Sequence, residues 1–483
     1  MQKSISAVSG VLYLTLSKFV FIVTGYIVYI SLARYLGPEL FGTYGIVVGI
    51  VSVLNMVLIT GTIQSVSKFI SEEPALALDV RTQGLKLQAI IGGIIAVSYF
   101  FSADIIASLL KDPTLVPLLR LSSLIPLFYS LYAVFIGYIN GQKQFRMQAL
   151  FDITFSVLKC SLILLLVFLG FSITGAIFGF ASAAGIILIL SASIIGFRFQ
   201  RHITFPMKKI FIFGFIISLF TASSNLLLTL DLLLIKSLIV ENYVKLYTGY
   251  YTAVQTIARI PFFLMVPINL VLFPIISRST FSQNNEETRY YINNGLRYNL
   301  AIMTLIVVLI SSSSKEIILI IYSKEYLPAW SSLTVLSVGM LFYSLLITSS
   351  TIISSSGKPK ISLIILVIVL ISDLILNYVL IPKYELIGAA ISTSLASLLG
   401  LFIAAGYVLS KFKAFMTFKS ITRITISGIL IYFLANKIHA SGFMLLVEMM
   451  CMSVLYFLSL LVSREISKQD IASLKGVFRI RNV

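Results

Sequence analysis

Charge is scarce in this chain. Of 483 residues only 11% are Asp, Glu, Lys or Arg, where a soluble domain carries about a quarter. With a mean hydropathy of +1.02, that deficit excludes a soluble domain. Polar stretches are short as well. No run has both the roughly 100 residues and the soluble composition that an extramembrane catalytic domain needs. Cysteine and histidine are nearly missing. Cys160 and Cys451 fall in apolar runs and read as buried packing residues, not as a disulfide framework. His202 and His439 stand in segments on opposite sides, which leaves no His-based metal site and no Ser-His-Asp arrangement. A glycine-rich ATPase phosphate loop is absent, so no cofactor and no direct ATP drive is expected.

What is abundant is apolar. At 58% of the chain, roughly 280 residues are hydrophobic, the number that fourteen spans of about 20 residues consume. Hydropathy predicts spans over 11–33, 41–61, 87–110, 115–139, 147–169, 174–197, 210–238, 247–276, 295–314, 330–353, 361–381, 387–409, 420–437 and 442–462. The uncharged run from Cys160 to Phe197 is too long for one helix and divides at Gly170, where a turn costs little. The first run is too long for a cleavable signal peptide.

The net charge of +18 would suggest nucleic acid in a soluble protein. Here basic cytoplasmic loops account for it. With the N-terminus inside, inner segments hold 24 Lys and Arg against 8 in outer loops, which predicts N-in and C-in. No nucleic-acid partner is expected. The tail from Ser463 to Val483, with apolar Ile466, Ile471, Leu474 and Phe478 among five bases, predicts an amphipathic helix on the anionic inner surface.

Internal similarity adds organisation. Gly141-Gln142-Lys143 recurs as Gly357-Lys358-Pro359-Lys360, 216 residues on. Gly175-Ala176 recurs as Gly388-Ala389, 213 on, and Phe41-Gly42-Thr43-Tyr44 as Tyr247-Thr248-Gly249-Tyr250, 206 on. These spacings predict a six-helix unit repeated in parallel. The expected organisation is an N-lobe over 1–202, a C-lobe over 203–413, two further helices over 414–462 and a cytoplasmic tail over 463–483.

Ala33-Arg34-Tyr35-Leu36-Gly37-Pro38-Glu39-Leu40-Phe41-Gly42-Thr43-Tyr44 resembles the signature of the polysaccharide-transport branch of the multidrug/oligosaccharidyl-lipid/polysaccharide exporter superfamily. So do Ser372-Asp373-Leu374-Ile375-Leu376-Asn377-Tyr378 through Gly388-Ala389-Ala390, and Pro117-Leu118-Leu119-Arg120-Leu121 leading to Gly141-Gln142. The resemblance implies an all-α polytopic membrane protein of about fourteen helices, two parallel six-helix lobes plus two. It also implies a flippase of the inner (cytoplasmic) membrane. Its cargo would be a polyprenyl-diphosphate-linked oligosaccharide, carried to the outer leaflet by alternating access through a cationic inter-lobe cavity. Partners would be membrane lipids and polysaccharide-assembly proteins. Multidrug relatives carry a coupling acid in the first helix, where this chain has Lys18 and no acid. A cation-coupled drug antiporter is therefore the alternative, and a membrane polysaccharide polymerase, which needs larger outer loops, ranks below it.

Ionisable residues inside spans are expensive and mark pathways. Lys18 shares a stripe with Thr15, Gly25 and Tyr29, and either lines the cavity or snorkels to the interface. Arg259 follows Tyr251 and Gln255 at steps of four, a face costly against lipid. Lys159 and Asp373 hold near-equivalent repeat positions, a cation in one lobe and an anion in the other. Asp373, with Asn377 four residues on, suits a helix contact as well as transport. Asp231 reads either as an ion-coupling acid or as a structural partner of Lys236. Arg120 and Asp152 lie near span ends in reach of water, and Glu448 belongs to the last two helices. The expected substrate-binding set is Lys18, Arg259, Lys159, Tyr251 and Gln255, with Asp231 and Asp373 as ion-coupling candidates. No catalytic residue and no metal ligand is expected. With a negative interior, outward movement of a −2 head would be favoured by about 4 to 5 kcal/mol per 100 mV.

Overall fold

Left-handed turns, more than loops, divide this chain into spans. The structure, a computed structural model, describes residues 2–196, 204–239, 243–438, 440 and 442–466, with side chains from Tyr13 onward except Pro267 and Leu270. His202, His439 and the tail beyond 466 lie outside the described residues. The helices are α1 Gln2–Glu72, α2 Ala77–Phe101, α3 Ala103–Leu109, α4 Val116–Ser122, α5 Leu124–Gly141, α6 Phe145–Leu166, α7 Ser172–Ile195 and α8 Met207–Leu238. They continue as α9 Val244–Ala258, α10 Ile260–Phe281, α11 Asn285–Ser312, α12 Ser314–Ile321, α13 Trp330–Ser355, α14 Pro359–Phe412, α15 Phe418–Ala435 and α16 Phe443–Val462.

Among the described residues ten helical runs are long and apolar enough to cross a membrane, eleven if a pair bent by 43° within 244–281 is one span. Three of these runs are double length. Each is broken by residues with positive φ: Gly37 (φ 75) in α1, Gly170 and Ser172 between α6 and α7, and Glu385 (φ 51) in α14. Dividing them there yields the fourteen spans, and the chain is an all-α polytopic membrane protein. Gly37 carries its turn because a residue without Cβ takes positive φ at no steric cost, and Pro38 then starts the next helix. The stretch 247–276, read as a single span from sequence, is the bent pair: α9 gives way to α10 at Arg259, which keeps a helical backbone, and the 43° bend follows Val266.

The turns follow the sequence repeat. Ser172 and Glu385, both at φ 51, lie 213 residues apart, and Lys143 (φ 61) and Gly357 (φ 85) lie 214 apart. Ser172 and Glu385 show no glycine-like signal, so the recurrence of their conformation reflects the architecture and not local composition.

Packing divides the chain into two compact units, up to Thr252 and from Ala253. The repeat puts the lobe boundary earlier, at 202–203, but α8 and the start of α9 pack within the first unit. Small residues explain this. Gly61 meets the Gly214 backbone, and Ser218 Oγ donates to the Val57 carbonyl at 2.5 Å, so α1 and α8 approach closely. Further along α1, Gly42 touches the backbone of Gly249, and Gly249 in turn lies on the Pro38 carbonyl. These two segments are repeat counterparts in the sequence. A Cβ at Gly249 has no room, so Gly249→Ala should destabilise the protein by about 1–3 kcal/mol, read as a lowered Tm in detergent.

In the second unit α11 packs against α13 and α15. Gly428 on α15 accepts Thr304, and Tyr456 on α16 donates to the Ala301 carbonyl at 2.9 Å, which attaches the last two helices to α11. Cys160 is buried as expected, but Cys451 is exposed, because much of α16 has no neighbour among the described residues.

Candidate functional site

The face of α6 that carries Asp152, Phe155, Ser156 and Lys159 follows steps of three and four, so these side chains lie in one row. Aromatic residues meet it. Tyr129 and Tyr132 of α5 pack on Phe155 at 4.9 and 6.0 Å between ring centroids, and Phe180 of α7 at 6.4 Å. Lys159 Nζ sits over three rings, 4.8 Å from Phe21 of α1, 5.2 Å from Phe180 and 5.8 Å from Phe155. No carboxylate lies within 4 Å of it among the described residues. Three ring faces can hold a desolvated ammonium at about 0.5–2 kcal/mol each, but a ring neutralises no charge.

Lys18, one turn before Phe21, forms an ion pair with Asp152, Nζ to Oδ2 3.6 Å. Its side chain is 67% exposed and that of Asp152 only 16%. Asp152, expected to reach water from a span end, is only partly exposed, because α1 and α5 cover most of its side chain. The two lysines predicted to bind substrate thus belong to one cluster, with Asp152 and the rings as parts that sequence reading passed over. A signal was present: Asp152, Phe155 and Lys159 have helical spacing. Phe21 and Phe180, on other helices, gave none.

Of the stripe of Tyr251, Gln255 and Arg259, the first two are buried. Tyr251 is fully buried, and its hydroxyl donates to Asp231 Oδ2 at 2.6 Å. Asp231 is 1% exposed. It is not the partner of Lys236, which turns to Asp112 instead, Nζ to Oδ2 2.8 Å. Gln255 is buried one turn further along, and Arg259 stands where α9 gives way to α10 in the second unit. There Arg259 acts electrostatically on the buried Tyr343 phenol, which packs on Phe262 at 5.1 Å.

Asp373 and Asn377 on α14 are both fully buried, and Asn377 Nδ2 donates to the Asp373 carbonyl at 2.9 Å. The counterpart of Lys159 in the repeat is therefore an interior acid. Arg120 pairs with Asp104 at 2.7 Å on an exposed face, and Glu448 accepts from the Ala440 N–H at 3.3 Å. Both positions have local partners.

The second unit also holds a neutral polar chain missed from sequence. Thr348 Oγ1 donates to Asn269 Oδ1 at 2.9 Å, Asn299 Nδ2 to Thr348 Oγ1 at 2.6 Å, and Ser344 Oγ to Asn299 Oδ1 at 3.1 Å. It joins α10, α11 and α13, as buried amides and hydroxyls do between spanning helices. No group of three or more His, Cys, Asp or Glu able to hold a metal is found among the described residues.

Comparisons with known proteins agree with this architecture. The fold is similar to that of "Lipid II flippase MurJ, inward closed conformation", with a TM-score of 0.78 and 19% identity over 94% of this chain and 99% of that one. It is also similar to an inward-facing multidrug resistance MATE family transporter of the MOP superfamily, at 0.67 and 15% over 84% and 99%. In sequence, a putative O-antigen transporter of Shigella flexneri is 24% identical over 388 residues, 76% of this chain and 89% of its own length. An uncharacterized membrane protein of Methanocaldococcus jannaschii is 29% identical over 187 residues, so that match spans 39% of this chain and only 36% of the archaeal protein. Residues 7–280 match the family described as "Polysaccharide biosynthesis protein". That is more than half of the chain, which therefore belongs to this family.

Proposed function

We propose that the chain is a flippase that carries a polyprenyl-diphosphate-linked oligosaccharide from the cytoplasmic to the outer leaflet by alternating access, for cell-surface polysaccharide assembly. The observation that carries this reading is the pair of lysines on the first unit. Lys159 is held by phenyl rings with no carboxylate within 4 Å among the described residues, and the Lys18 side chain is 67% exposed. A diphosphate cannot cross hydrocarbon bare, since the idealised cost of burying one ion is about 20 kcal/mol before relaxation. Two ammonium groups within the helix bundle of the first unit supply the missing counter-charge, and in the second unit Arg259 carries a guanidinium suited to two phosphate oxygens. Tyr251 and Gln255 align the helix that leads to it, and Asp231 and Asp373 are the interior acids available for ion coupling. The N-terminus lies in the cytoplasm and the inner membrane holds the chain, as the distribution of Lys and Arg supports. With a negative interior, the membrane potential favours outward movement of the anionic head.

The test is flux in vesicles. A fluorescent polyprenyl-diphosphate oligosaccharide placed in the inner leaflet should become accessible to an external lectin over minutes when the reconstituted chain is present. The rate should rise with an inside-negative potential. No movement of the lipid-linked sugar, together with cation-dependent efflux of a small organic cation, would replace the flippase reading with a drug antiporter.

A further inference from the structure

We infer that Asp152 is the exchangeable counter-ion of Lys18: a cargo phosphate displaces the carboxylate from the ammonium, and the released carboxylate takes up one proton from water. This inference rests on the flippase reading above and adds to it a proton that enters with the cargo.

Three observations carry it. First, the pair is loose: 3.6 Å from Lys18 Nζ to Asp152 Oδ2 is well beyond the 2.7–2.9 Å of a tight charge-assisted hydrogen bond. Second, its exposure is lopsided. Lys18 is 67% exposed and Asp152 16%, so an anion can reach the ammonium from the open side without passing the carboxylate. Third, Asp152 has little else to hold its charge. Its Oδ2 is buried and accepts no hydrogen bond.

The groups facing Asp152 can be named helix by helix. From α1 come Lys18 and the Ser17 hydroxyl, which is within reach of the carboxylate but donates to the Leu14 carbonyl at 2.9 Å. From α5 come the Tyr129 and Tyr132 phenols. On α6 itself Ser156 Oγ donates to the Asp152 backbone carbonyl at 2.6 Å, and Lys159 lies two turns away among its rings. Lys18 is thus the cation in contact. When a phosphate takes it, Asp152 is left without its cation beside a second anion, and a proton is the counter-charge that can replace the ammonium. The step balances: one carboxylate and one proton give one carboxylic acid, and the cargo keeps its two negative charges. The loaded site then carries one negative charge fewer than the cargo alone.

Calorimetry on the purified full chain reads this directly. The probe is a dialkyl diphosphate diester, whose two charges do not titrate between pH 6 and 8. Titration in two buffers of different ionisation enthalpy counts the protons taken up per ligand. The wild type should take up close to one proton and bind up to tenfold more tightly for each unit that pH falls. Asp152→Asn should bind with close to none and with a flat pH profile, while Asp152→Glu should restore the uptake. Lys159 is the rival acceptor: if uptake persists in Asp152→Asn and vanishes in Lys159→Met, the proton belongs to the caged lysine and the inference is overturned. Binding by the wild type without proton uptake overturns it as well, and decides the matter even if Asp152→Asn does not fold. Failure of the wild type to bind the diphosphate would instead sink the flippase reading itself, and this inference with it.

Discussion

Removing the charges of Lys18 and Arg259 together, as Lys18→Ala/Arg259→Ala, is expected to lower lipid-linked oligosaccharide flux at least 100-fold at normal protein levels. A hydrogen bond to a charged group contributes about 1.5–3 kcal/mol. Two of them, lost from a head that cannot shed its charge, correspond to roughly 10² to 10⁴ in affinity. The vesicle assay with lectin capture measures the flux. Retention of wild-type flux in the double variant would remove both residues from the site. Lys18 needs a control, since its loss also strands Asp152. Lys18→Ala/Asp152→Asn removes the pair as a unit and should recover thermal stability without recovering flux. Arg259→Lys, which keeps the charge but loses the planar fork, should fall between wild type and the double variant.

How much of this was legible beforehand depends on the range of the interaction. Fourteen apolar segments, the division at Gly170 and the parallel repeat could be read because hydropathy and glycine are local signals. Ser172 and Glu385 adopt the same left-handed turn 213 residues apart, yet neither residue type announces it. Steps of four aligned Tyr251, Gln255 and Arg259, but a periodicity cannot tell that the Tyr251 hydroxyl is already taken by Asp231. Lys159 shows the same limit from the other side. Its own helix supplies Phe155, while Phe21 and Phe180 arrive from helices far away in sequence. Charge partners across helices were the least legible, and Lys236 is the clearest case. A carboxylate five residues away, Asp231, looked like its partner, and the real one is 124 residues distant.

That partner, Asp112, sets up the largest effect on stability. It precedes the turn Pro113–Leu115 and accepts from the Thr114 N–H at 3.1 Å and the Thr114 hydroxyl at 2.5 Å. Its other oxygen faces Lys236 at 2.8 Å, with both side chains 4% exposed, and the half-exposed Lys245 at 3.5 Å. Burial pushes the Asp112 carboxyl up, but the hydrogen bonds from Lys236 and Thr114 and the charges of both lysines outweigh it and hold the group below its ordinary value of 3.8. Asp112→Asn leaves the Lys236 ammonium buried without its anion and should cost about 3–5 kcal/mol, seen as a drop in Tm of the detergent-solubilised protein. Asp112→Asn/Lys236→Met removes both charges and should recover most of that loss. The sign with pH follows from the depressed carboxyl. Its contribution is complete above the unfolded value near 3.8 and fades as pH falls from there through the folded value. The Tm difference between wild type and Asp112→Asn should therefore be constant from pH 8 to about pH 5 and shrink below about pH 4. A difference that instead persists undiminished at pH 3 would mean that the pair is held by packing and not by its charge.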